Sequence, residues 1–154
     1  MQVISSFPWL ALGSLTWTIL EYYFHRFDLH SPSSISDGYI NSHLIHHSFP
    51  NLKNKVALSW STLTAKVFLI VIVLRLFMAD LSVGMWYVGF MMTIIAYDSI
   101  HYYCHFGGET NIGWLKRLRI NHLKHHYRDQ QTNFGVTTNF WDKVFGTYDN
   151  KFKN

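Results

Sequence analysis

Residues Asn121–Tyr127 read Asn-His-Leu-Lys-His-His-Tyr, with histidines at i, i+3 and i+4. On a helix these positions lie within a turn of each other on one face. His43, His46 and His47 repeat the spacing, and two pairs, His25 with His30 and His101 with His105, complete the chain's ten histidines. A lone histidine is most often a core or surface residue with its hydrogen bonds satisfied. Ten gathered into two triplets and two pairs point to metal, because neutral imidazole suits Fe, Zn, Cu and Ni. The set is large enough for two ions with about five nitrogens each. A hydrolytic zinc site takes three protein ligands and an open position, so ten histidines exceed that need.

A ligating ring must have its other N–H paired. Glu21 lies four residues before His25, and Asp98 three before His101. Both are acidic residues at the ends of apolar runs, where an unpaired charge is costly. They are candidates to orient those rings; the plainer reading is a helix-end carboxylate in contact with water. Cys104, between His101 and His105, reads as a packing residue. As the single cysteine, it leaves no intrachain disulfide and no cysteine set for a zinc finger or iron–sulfur cluster.

The elements that position these groups are apolar. Charged residues make up 14% of the chain and hydrophobic ones 49%, against about 25% charged in soluble domains. Val3–Phe24 carries small residues such as Gly13 and Ser14, where a neighbouring helix can approach. About 20 such residues cross a bilayer core. The run ends in His25 and His30, whose i, i+5 spacing sets them about 140° apart on an ideal helix. The helix is therefore expected to end between them, with Ser31-Pro32-Ser33-Ser34 marking the stop. Asp37–Asn54 is a polar segment carrying the first triplet. Val56–Ala79 and Val83–Tyr97 are further apolar stretches, joined by a tight turn at Asp80-Leu81-Ser82; Lys66 and Arg75 interrupt the former. Phe106–Gly113 is a glycine-rich break, and Trp114–Arg119 a basic amphipathic lead into the second triplet. The aromatic, β-branched tail Phe134–Tyr148 has no clear secondary structure.

The leading residues do not resemble a secretory signal. Basic residues cluster in the last quarter, beside apolar spans, which fits anionic lipid headgroups better than nucleic acid. They could also dock an acidic redox partner. Lys and Arg mark the cytoplasmic side, so all four histidine clusters are expected there. The fold expected is all-α: a single domain over residues 1–154, an integral membrane helical bundle with a cytosolic histidine-rich cap holding a dimetal centre. Paired redox metals at a bilayer surface fit oxygen activation on a lipid, because inserting oxygen into an unactivated C–H bond is beyond acid–base side chains. A non-enzymatic membrane haem or metal protein is the rival. However, ten histidines are too many for one haem, and the apolar cores hold none to line a transport path.

The order His-Arg-Phe-x-x-His, His-x-x-His-His, Tyr-Asp-x-x-His-Tyr-Tyr-x-His-Phe, His-x-x-His-His-Tyr and Phe-Gly-Val-Thr-Thr-x-x-Trp-Asp resembles the fatty acid hydroxylase superfamily from about Glu21 to Tyr148. The fatty acid 2-hydroxylases that act on sphingolipid acyl chains are the nearest branch. The resemblance implies that all ten histidines ligate a dimetal centre, with iron expected and zinc possible as bound in a structure. It implies O2-dependent hydroxylation of a fatty acyl chain next to its carboxyl or amide. It also implies a separate electron donor (a b-type cytochrome or ferredoxin-like protein) with its reductase, no nucleic acid, and a site on the cytoplasmic face of the endoplasmic reticulum or a bacterial inner membrane. Carotenoid and sterol hydroxylases and desaturases carry similar histidine sets and are the alternatives.

Overall fold

The computed structural model describes residues 7–30, 42–53 and 60–149. Among these every regular element is helical: α1 (Phe7–Tyr23), a π-helical turn (Phe24–Leu29), α2 (Ser42–Ser48), α3 (Trp60–Arg75), α4 (Asp80–Phe106), α5 (Gly113–Tyr127) and a short α6 (Phe140–Val144). The Ser31–Ser34 stop, most of the polar lead into the first triplet, and the start of the second apolar stretch lie outside the described residues. The described residues form two compact units, one of 7–17 and 60–96, the other of 18–30, 42–53 and 97–149.

In the first unit α1 and α4 touch backbone to backbone. A Cβ on Gly13 would collide with the carbonyl of Trp86, and one on Gly89 with the carbonyl of Leu10. Small residues thus permit the close approach expected of them. The Ser14 hydroxyl donates to the Gly89 carbonyl at 3.1 Å and the Trp86 indole N–H to Thr16 at 3.2 Å. Trp17 and Trp86 both pack on Phe90, edge-on at 5.6 Å and stacked at 5.0 Å. Apolar side chains of this unit are also left bare: Phe68 and Leu69 on α3, Phe77 in the turn after it and Met92 on α4 are exposed. One described helix, Asp80–Phe106, is long and apolar enough to cross a membrane.

The turn between α3 and α4 falls at residues 76–79, one step before the expected Asp80-Leu81-Ser82. Asp80 instead opens α4, where a carboxylate complements the positive end of the helix dipole. It pairs with Arg75 at 2.9 Å with both side chains exposed, a contact worth little in water.

In the second unit the expected helix end between His25 and His30 is replaced by a widened helix. The six residues Phe24–Leu29 form a π-helical turn, whose hydrogen bonds run from i to i+5. Residues five apart therefore come to lie one above the other instead of diverging. The His25 and His30 rings stack with centroids 5.2 Å apart.

The glycine-rich break ends α4 as expected. Arg119 on α5 ties the break down, donating to the carbonyls of Cys104 at 3.3 Å and Gly108 at 3.0 Å. A cationic side chain is well placed at carbonyls freed by a helix C-terminus. The aromatic tail makes no strand among the described residues. It winds around two buried carboxylates, Glu21 and Asp142, with Phe134 and Tyr22 edge to face at 6.0 Å.

Candidate metal centre

All ten histidines lie in the second unit, and the fold gathers them into two groups of five. His25, His30, His43, His47 and His125 form the first; His46, His101, His105, His122 and His126 form the second. Within each group the ligand nitrogens all lie within 4.8 Å of one another. Each triplet is divided between the groups. On α2, His43 and His47 turn to the first group and His46 to the second; on α5, His122 and His126 turn to the second and His125 to the first. Helix geometry accounts for the division. Residues at i and i+4 are offset by about 40°, whereas those at i+3 and i+4 differ by about 100°. A triplet that looks like one face from spacing alone is a ridge between two sites.

The nitrogen spacings fit ions. The Nε2 atoms of His125, His30, His43 and His47 lie close together, with successive separations of 3.1, 3.1 and 3.0 Å. In the second group His46 and His101 are 3.1 Å apart at Nε2, and His105 and His122 2.9 Å. Nitrogens bound to one ion at about 2.1 Å and at right angles lie about 3.0 Å apart. Nε2 of His25 and of His126 are buried without a hydrogen-bond partner among the described residues, a costly state for a polar atom unless something else binds it. The two groups adjoin where His47 and His126 stack at 4.0 Å.

Tautomers are set where the second nitrogen is visible. Nδ1–H of His25 donates to the carbonyl of Phe134, and that of His125 to the carbonyl of Thr132 at 2.8 Å. Each leaves Nε2 with a free lone pair, as metal binding requires. Burial, reinforced by neighbouring imidazoles, holds the rings neutral. It lowers His30 and His46 to about 4, His125 to about 3 and His47 to about 2, and carries His25, His43, His122 and His126 down as well. Histidines of the unfolded chain titrate near pH 6.5. As pH falls below that value the unfolded chain takes up protons that the folded one refuses, so stability present above pH 6.5 is lost progressively toward pH 4. The thermal midpoint of the detergent-solubilised protein, stripped of metal, is expected to fall steadily between pH 7 and pH 5; a flat profile would contradict buried neutral rings.

Glu21 is not the partner of His25. Its carboxylate accepts the backbone N–H of Val136 at 2.5 Å and of Thr137 at 3.0 Å, and the Thr137 hydroxyl. The acid one turn before the histidine faces inward at the tail, and a tail carbonyl takes the imidazole instead. Asp98 is half-buried on α4, one turn before His101. Cys104 is fully buried, consistent with a packing role. The residues that spacing did not single out are in the tail: the carbonyls of Thr132 and Phe134, and Asp142 behind them. Backbone carbonyls leave no mark in a sequence. Asp142 did leave one, as a lone acid in an aromatic segment.

Comparison with known proteins gives the family. The family model for fatty acid hydroxylase matches residues 10–147. Fatty acid 2-hydroxylase of Rattus norvegicus is 33% identical over 141 residues, covering 88% of this chain and 38% of the rat protein. A dihydroceramide fatty acyl 2-hydroxylase of Arabidopsis thaliana is 32% identical over 143 residues, covering 90% of this chain and 59% of the plant protein. The chain thus spans between about two fifths and three fifths of the length of these relatives. A solved structure of full-length scs7p, in which only the hydroxylase domain is visible, superposes with a TM-score of 0.79 at 25% identity, covering 95% of this chain and 57% of that one. The chain belongs to the fatty acid hydroxylase family.

Proposed function

We propose that the chain forms a membrane-bound, O2-dependent dimetal hydroxylase that hydroxylates a fatty acyl chain at the carbon next to its carboxyl or amide. The observation that carries this reading is the division of ten buried or half-buried histidines into two adjacent groups of five. Two redox metals, with iron expected, would supply the oxygen activation that insertion into a C–H bond demands. His25, His30, His43, His47 and His125 would hold one ion, and His46, His101, His105, His122 and His126 the other. The protein's part is to hold the rings neutral, fix their tautomers and keep water out; His122 and His125 are fully buried. Asp98 would orient His101 from one turn away.

The bare apolar faces of α3 and α4 support a membrane location, with the histidines on the cytoplasmic side. The relatives named for fatty acid and dihydroceramide acyl 2-hydroxylation support an acyl substrate. Electrons would come from a separate b-type cytochrome or ferredoxin-like donor and its reductase. The exposed Lys116 and Arg117 on α5 offer a cationic surface to an acidic carrier. Lipid analysis of a heterologous host with and without the protein tests the reading. Accumulation of 2-hydroxy acyl lipids is expected. A new double bond or a ring hydroxyl would assign the chain to a desaturase or a carotenoid or sterol hydroxylase instead.

A further inference from the structure

The peptide group joining Phe134 to Gly135 is held at both ends. Its carbonyl accepts Nδ1–H of His25, and its N–H donates to Oδ2 of Asp142 at 2.9 Å. The other carboxylate oxygen accepts the Phe134 N–H at 2.8 Å and the Thr147 hydroxyl at 2.7 Å. Asp142 is fully buried, so these donors replace its water. Gly135 is required for the approach, because a Cβ there would stand 2.9 Å from Oδ2 of Asp142 and collide with the carbonyl of Thr138. Just before this peptide, Asn133 takes the left-handed conformation at φ 55°. Its N–H is fixed to the Thr147 carbonyl at 2.9 Å. That reversal presents the carbonyls on either side of it, Thr132 and Phe134, to His125 and His25, both of the first group.

Ligating histidines commonly meet an orienting carboxylate directly. Here one backbone amide stands between them. A carboxylate drawing on the amide N–H polarises the whole peptide and makes its carbonyl a stronger acceptor. We propose that Asp142 is a positioning residue for the first histidine group: through the Phe134–Gly135 peptide it fixes the His25 ring and selects the tautomer that offers Nε2 to a metal. The inference rests on the reading that each group binds one ion.

Glu21 provides the comparison. It binds the neighbouring Val136 and Thr137 N–H groups, but no peptide that accepts from a histidine. The test is metal stoichiometry and chelator competition on the full chain in detergent, loaded with Zn2+. Wild type is expected to hold two ions. Asp142→Asn, which sets an amide NH2 against a backbone N–H, is expected to weaken one ion about 10–100-fold and leave the other unchanged. Adding His30→Ala should weaken that same ion further and still leave the other unchanged, whereas adding His105→Ala should weaken the second ion too. Glu21→Gln should keep both affinities within about threefold of wild type, since it leaves the relay intact. If Asp142→Asn yields little folded protein, Asp142→Glu retains the charge but displaces it, and the same selective weakening is expected. Unchanged binding of both ions, or equal weakening of both, would overturn the proposal. Fewer than two ions on wild type would overturn the two-ion reading, and the proposal with it.

Discussion

His126→Ala is expected to reduce hydroxylated product to below about one hundredth of wild type and to lower the metal content from two ions to one. Losing an orienting partner of a ligand already costs about 10–100-fold, and His126 is a candidate ligand itself. It is buried, and neither ring nitrogen finds a hydrogen-bond partner among the described residues. Its ring lies 4.6 Å from those of His46, His105 and His122, and stacks on His47 of the other group. A ring kept for packing or hydrogen bonding would not be left with both nitrogens orphaned. Neighbouring Tyr127 is 67% exposed, so Tyr127→Ala should retain product and both ions. Product in a heterologous host and metal counts on purified protein decide the matter together. A His126→Ala protein that keeps both ions and makes wild-type product would remove His126 from the centre.

The second large effect is expected from Gly13→Val, which should lower the thermal midpoint by about 2–12 °C or abolish folded protein. The added side chain cannot be accommodated by a rotamer change, because what it meets is the backbone of Trp86 and Phe90. Overpacking of this kind costs about 1–3 kcal/mol, and each kcal/mol shifts the midpoint of a chain this size by about 2–4 °C. Gly84 on the same partner helix gives the opposite sign. Nothing lies within 4 Å of its Cβ position, so Gly84→Ala should stabilise by up to about 1 kcal/mol through helix propensity alone. Fluorescence-detected melting in detergent measures both. Equal melting of the Gly13→Val protein and wild type would mean that the two helices do not meet there.

The site was legible in the sequence wherever spacing alone determines placement. Histidines four apart on one helix share a face, and His43 with His47, His101 with His105, and His122 with His126 each stay together in one group. The third member of each triplet was not legible as a ligand of the opposite group. That depends on where α2 and α5 lie between the clusters, which no local pattern encodes. The His25 and His30 pair misled for a different reason. Five-residue spacing is incompatible with an α-helix, and a helix end is the commoner remedy than a π turn. The tail was least legible of all. Its residues look like strand formers, but the buried acceptors Glu21 and Asp142 capture the N–H groups of residues 134–137 that a sheet ladder would have used.

The π-helical turn constrains this chain in length more than in composition. Phe27 and Asp28, which fill the turn between the two histidines, face outward and are exposed. Many side chains would serve at Asp28, whereas the Phe27 ring lies under the Arg26 guanidinium, which donates to the Tyr22 hydroxyl. Removing a single residue is another matter, because the turn would close to α geometry and everything after it would rotate by about 100°, carrying His30 away from His25. Across related chains, the position of Asp28 should therefore vary in residue type while the count between the two imidazoles stays fixed.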